Sequence, residues 1–111
     1  MAQATRMLVA GFVVLVCLLG IPVSSYAAKG TVVKTSSSCD YFIVETPRGF
    51  ALLEWYRGCI PDEGDTIVGG FESYGFKDVF DLTQNREVRV WVEDYWLTWE
   101  RAVEELFDHC D

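Results

Sequence analysis

The chain has 111 residues, with nine basic side chains against seventeen acidic ones and a formal net charge of −8. That balance repels phosphate backbones, whose binding relies on clustered Lys and Arg releasing counterions, so nucleic acid and anionic membrane surfaces are poor partners. A single histidine and four cysteines leave little material for a nucleophile–base pair or for paired zinc ligands.

From the N-terminus, Arg6 precedes the apolar run 7–22 (MLVAGFVVLVCLLGIP), and Ser25-Tyr26-Ala27 places small residues at the two positions a signal peptidase reads. This order predicts a secretory signal peptide, residues 1–27, cut after Ala27. Residues 7–27 are just long enough for a spanning anchor, but Pro22 and the serines make a poor last third of such a helix. Cys17 follows Val16 rather than a small residue, which argues against a lipid-modified cysteine. Cleavage leaves residues 28–111 as one small domain, periplasmic or secreted, without a membrane segment. Of the charged residues only Arg6 is lost, so the net charge moves from −8 to −9.

In the mature part, short β-branched and aromatic stretches alternate with turn residues, the pattern of an antiparallel barrel or small sandwich. Candidate strands are 31–35, 40–46, 50–57, 65–71, 76–82 and 88–95. Pro47-Arg48-Gly49 between the second and third predicts a hairpin, since Pro sets φ and Gly admits positive φ. Gly69-Gly70 within the fourth suggests a bulge or bend. From residue 98 the period changes: Trp99, Ala102, Val103, Leu106, Phe107 and Cys110 recur at three- and four-residue steps, opposite a charged face. These predict an amphipathic helix over 98–109 with Thr98 as N-cap and Leu97 packing back on its first turns. A stripe three turns long is not stable alone and must lie on the barrel.

The fold class expected is therefore mainly β: a small antiparallel barrel carrying a C-terminal helix. Gly30-Thr31-Val32-Val33, the long second strand running into a hairpin, and Pro61-Asp62-Glu63-Gly64-Asp65-Thr66-Ile67-Val68-Gly69 resemble an OB-type barrel over residues 30–82; SH3-like barrels share the glycine–aspartate strand entry. The resemblance implies an oligonucleotide or oligosaccharide face on strands 2 and 3. Asp40, Glu45 and Glu54 stand there instead of basic side chains, so the analogy transfers no function.

Candidate chemistry is sparse. His109 and Cys110 are adjacent on a helix and point about 100° apart, which does not make a catalytic pair. The acidic turn 62–65 and Glu93-Asp94 lack the spacing of a calcium loop, so no metal and no cofactor is expected. Without nucleophile and base the domain reads as non-enzymatic. The aromatics say more. In residues 88–93 a period of two puts Val88, Val90 and Val92 on one face and Arg89, Trp91 and Glu93 on the other, so Trp91 and Arg89 should face outward. Either Trp55 or Tyr56 should join them. Such a surface fits a protein partner or, alternatively, an oligosaccharide or small ligand.

Three cysteines survive cleavage in an oxidising compartment. The apolar stripe aims Cys110 at the barrel, favouring Cys39 with Cys110; the hairpin about Pro47-Arg48-Gly49 offers Cys39 with Cys59 as the alternative. In the first case Cys59 is the odd thiol and a route to a disulfide-linked dimer.

Overall fold

The computed structural model describes residues 28–110; the expected signal peptide, residues 1–27, lies outside the described residues. Six strands, β1 (Ala28–Thr35), β2 (Tyr41–Thr46), β3 (Gly49–Gly58), β4 (Thr66–Gly69), β5 (Gly75–Asp81) and β6 (Arg86–Leu97), precede one helix, α1 (Trp99–Cys110). All pair antiparallel in the order β1-β2-β3-β6-β5-β4, and β4 returns to β1 to close the barrel. Two three-stranded meanders are thus joined edge to edge. Closure leaves no strand edge open to pair with another chain.

The fourth strand is shorter than the sequence predicts because it meets β5 too closely to continue. A Cβ on Gly69 would come within 2.4 Å of Val79. The chain bends away at Gly70, and Phe71 turns into the barrel, where it is fully buried among Val32, Phe42, Leu53, Ile67, Val79 and Val90. Between β2 and β3 the turn residues are Pro47 and Arg48, and the Thr46 hydroxyl donates to the Gly49 carbonyl at 2.9 Å while accepting from the Arg48 amide.

Strands β2 and β3 are buried on both faces. Phe42, Val44, Ala51 and Leu53 point into the barrel, and the intervening Ile43 and Leu52 meet Ala102 and Leu106 of α1 on the outside. Thr98 caps the helix: its side-chain oxygen accepts the Arg101 amide at 3.2 Å, and its carbonyl accepts Ala102 N–H. At the far end Cys110 is disulfide-bonded to Cys39, with a Cα separation of 5.5 Å, which leaves Cys59 as the free cysteine among the described residues. The bridge closes a loop 71 residues long. For a loop of that size, restriction of the unfolded chain is worth about 4 kcal/mol in the entropic account.

Helix packing departs from the periodicity in one respect. Phe107 belongs to the predicted apolar stripe but is 56% exposed. Contact with β2 and β3 is only as wide as Ala102 and Leu106, flanked by Val103 and Cys110, and Phe107 is rotated about 100° beyond Leu106. Leu106→Ala should accordingly cost about 2–5 kcal/mol in chemical denaturation. Phe107→Ala should change stability by less than about 0.5 kcal/mol; equal losses would mean that the helix seats differently.

Candidate functional site

Helix α1 covers the outer face of β2 and β3, and the outer face of β5 and β6 carries exposed aromatics. Alternation in β6 buries Val88, Val90 and Val92 and turns Arg89 and Trp91 outward. In β5 the outward partner of Trp91 is Phe76, and that of Arg89 is Asp78. From β3 comes Tyr56, an extra residue inserted where Trp55 pairs with Val90 and Arg57 with Arg89. Phe76 is the hub. Tyr56 meets it edge-on at 4.7 Å and Trp91 at 4.9 Å between centroids, while the Arg89 guanidinium lies 5.0 Å above its ring. Arg89 also pairs with Asp78 at 2.9 Å. Tyr56 is 50% exposed and Phe76 44%.

Of the four residues singled out in the sequence, three therefore converge: Tyr56, Arg89 and Trp91. Trp55 faces the other way. It packs against the barrel interior and its indole N–H donates to the Cys59 carbonyl at 3.1 Å. Phe76 escapes the sequence reading, because only the register of β5 against β6 shows which of its residues meet Trp91.

A second aromatic group, also unforeseen, lies at the other end of β6. Against β3, β6 carries one extra residue between Val92 and Asp94 and another between Asp94 and Leu97. Trp96 takes up the second with φ of 58°, a left-handed conformation costing a bulky side chain on the order of 1–3 kcal/mol. Gly49 is pressed against this bulge; a Cβ there would lie 2.9 Å from the Leu97 carbonyl. Trp96 is thrown outward, edge-on to Tyr95 at 5.2 Å, and Tyr95 in turn meets Tyr74 at 4.8 Å.

His109 stacks on Tyr41 at 4.5 Å and stands 3.6 Å from Glu93, and its neighbour Cys110 is consumed in the disulfide. Burial, with the Tyr41 neighbours Glu54 and Glu93 adding to it, pushes the Tyr41 hydroxyl up to about 12. Cys59 is half-buried; burial, followed by the Asp81 charge, raises its thiol pKa and so depletes the reactive thiolate. Among the described residues no group of three or more His, Cys, Asp or Glu could hold a metal ion, and no helix is long and apolar enough to cross a membrane. A cavity of about 180 Å³ opens between the 35–40 loop, Trp55 and Ile60, and one of about 410 Å³ beside Lys29, Glu45 and Thr66. Neither borders Tyr56, Phe76 or Trp91, while a third, of about 310 Å³, lies at the edge of the cluster between Arg57, Asp78 and Arg89. Comparison with known proteins finds no family model that matches, and no curated protein or solved structure of significant similarity.

One pair of carboxylates is brought together by the strand register. Asp81 faces Ile67 across β4–β5 and points into the barrel end, fully buried, beside the buried Asp65. Asp65 accepts Gln84 Nε2 at 2.8 Å and the Asp62 amide at 3.0 Å; Asp81 Oδ1 accepts the Gln84 amide, and its Oδ2 has no other donor. Two carboxyls buried side by side resist ionising together, so a proton is favoured on Asp81, whose Oδ2 otherwise has no hydrogen-bond partner. Burial and the Asp65 carboxylate raise the pKa of Asp81. For Asp65, burial acts upward but is outweighed by the hydrogen bonds from Asp81, Asp62 and Gln84, so its pKa falls. The pair stabilises the fold between these two values: the Asp65 contribution is lost as pH falls through its depressed pKa, and the Asp81 contribution as pH rises through its raised one. Asp81→Asn supplies a permanent donor and keeps the Oδ1 acceptor. Thermal melts should show this variant gaining on the wild type as pH rises through the raised pKa of Asp81; parallel curves would mean that no proton is shared.

Proposed function

We propose that this chain is an exported, non-enzymatic interaction domain of the periplasm or extracellular space, and that Tyr56, Phe76, Trp91 and Arg89 form its face for another protein. The observation that carries the reading is the cluster of three rings already fixed edge to edge with an arginine on top. Aromatic residues and arginine dominate binding hot spots, and rings held by one another lose little freedom on binding. The outer surface of a closed barrel is convex, which suits a partner's surface better than the concave sites that enclose small ligands. A disulfide agrees with an oxidising compartment.

The barrel is compatible with a small OB-like fold, and we take it as a variant of that plan. Its strand 2–3 face lies under α1, which is why we assign binding to β5 and β6. Immobilised protein incubated with envelope extract should retain a partner that the Tyr56→Ser and Trp91→Ser variants lose. Each hot-spot ring should account for about 30-fold in affinity, with the thermal midpoint recorded to show that the barrel is intact. Equal retention by intact variants overturns the assignment, and Trp91-dependent capture of an oligosaccharide instead would move it to a carbohydrate module. Export has its own test: the mass of the secreted species should correspond to a chain beginning at Ala28, and a membrane-held species retaining residues 1–27 would refute cleavage.

A further inference from the structure

The group at the end of β6 stands apart from the face just assigned and has a different character. Trp96 is 54% and Tyr74 61% exposed, and the three rings meet at steep angles, 54° for Tyr74 with Tyr95 and 84° for Tyr95 with Trp96. Rings set this way form walls rather than a stack. Asp94 fixes the first wall: its Oδ1 accepts the Tyr74 hydroxyl at 3.2 Å and the Tyr95 amide at 2.9 Å. From α1, Glu105 lies beside Asp94, and Arg101, which pairs with Glu105, is shared with Glu104. Aromatic walls over incompletely neutralised carboxylates attract a cation by its charge and by the ring quadrupole together.

An internal precedent names the cation. Arg48, exposed on the β2–β3 turn, holds its guanidinium 5.4 Å from the Trp96 ring centroid. Arg48 is exposed, so an arginine presented on a partner can take its place on the ring, with Asp94 and Glu105 as counter-charge. The excess of seventeen acidic over nine basic residues in the chain draws a basic partner toward the surface before contact.

We propose that the Tyr74–Tyr95–Trp96 corner is a second binding site, taking an arginine-rich segment of a basic protein partner. Trp96 supplies the principal ring, Tyr74 and Tyr95 the side walls, and Asp94 with Glu105 the counter-charge. The left-handed backbone at Trp96 makes the assignment separable from folding, because Trp96→Gly removes the ring and relieves the conformation at once.

The test is a titration of the isotope-labelled exported protein with octa-arginine, followed by amide and indole NMR shifts, with octa-glutamate and a neutral β-glucan as the other probes. Expected are saturable shifts centred on Trp96, Tyr95 and Tyr74, and a loss of about tenfold or more in affinity for Trp96→Gly, whose thermal midpoint stays level or rises. Arg48→Ala should bind the peptide more tightly than the wild type, and more tightly than Arg57→Ala, which makes the same charge change elsewhere. Shifts spread over the acidic surface and unaltered by Trp96→Gly would reduce the attraction to net charge and overturn the site. Absence of peptide shifts would overturn it too, as would glucan shifts without them.

Discussion

The contact of Ile43 and Leu52 with Ala102 and Leu106 determines how the rest of the surface is used. A barrel of six short strands can bury one face of each strand and no more; the other must meet water or a further layer. Here the layer is a single helix of twelve residues, too short to be stable in isolation. It is held at its start by the Thr98 cap and at its end by the Cys39–Cys110 bridge. With the outer face of β2 and the first half of β3 occupied, Phe76 of β5 and Trp91 of β6 stand on an uncovered face, where Tyr56 at the far end of β3 joins them.

The same contact explains why much of the fold is legible in the sequence. Strict alternation in Val88-Arg89-Val90-Trp91-Val92 marks a half-buried strand, and β6 has one solvated face. Phe42-Ile43-Val44 and Ala51-Leu52-Leu53 break alternation with continuous apolar runs, as strands covered on both sides do. Hairpin, cap and helix follow from local chemistry: Pro and Gly at a turn, Thr before a periodic run. A cysteine on the stripe that faces the barrel favours Cys39 with Cys110 but leaves Cys39 with Cys59 open, and it is the structure that pairs the first two. Phe107 shows the limit of this reasoning. Periodicity gives the direction of a side chain but not the width of the surface that receives it.

Bulges account for most of what the sequence hides. Trp55 lies inward in step with Ala51 and Leu53, but the extra residue of β3 turns Arg57 outward together with Tyr56, and Trp96 is outward because β6 carries another. Within the sequence the choice between Trp55 and Tyr56 is hidden because Ala51, Leu52 and Leu53 form a continuous apolar run that sets no phase. The pairing of Asp65 with Asp81 is hidden for a similar reason. Among seventeen acidic residues many pairs are conceivable, and only the β4–β5 register selects this one. Half of the aromatic face was legible from alternation alone; its hub, Phe76, required the neighbouring strand.

Strand register also places the two most costly features of the molecule at opposite ends of the barrel. Gly58 pairs with Val88 and Asp81 with Arg86 at one end, whereas Phe50 pairs with Leu97 at the other. At the first end the barrel interior is closed by polar groups: Asp81, Asp65 and Gln84 bind one another and the Ile60 carbonyl, so the cost of burying carboxyls is offset by a network that ties two turns together. That cost has a structural return. At the second end the left-handed Trp96 ties nothing inward, since its ring points to solvent and meets Tyr95 and Arg48. The left-handed conformation there is offset by surface contacts with Tyr95 and Arg48 rather than by burial in the core, which sets Trp96 apart from the inward-facing valines of the same strand.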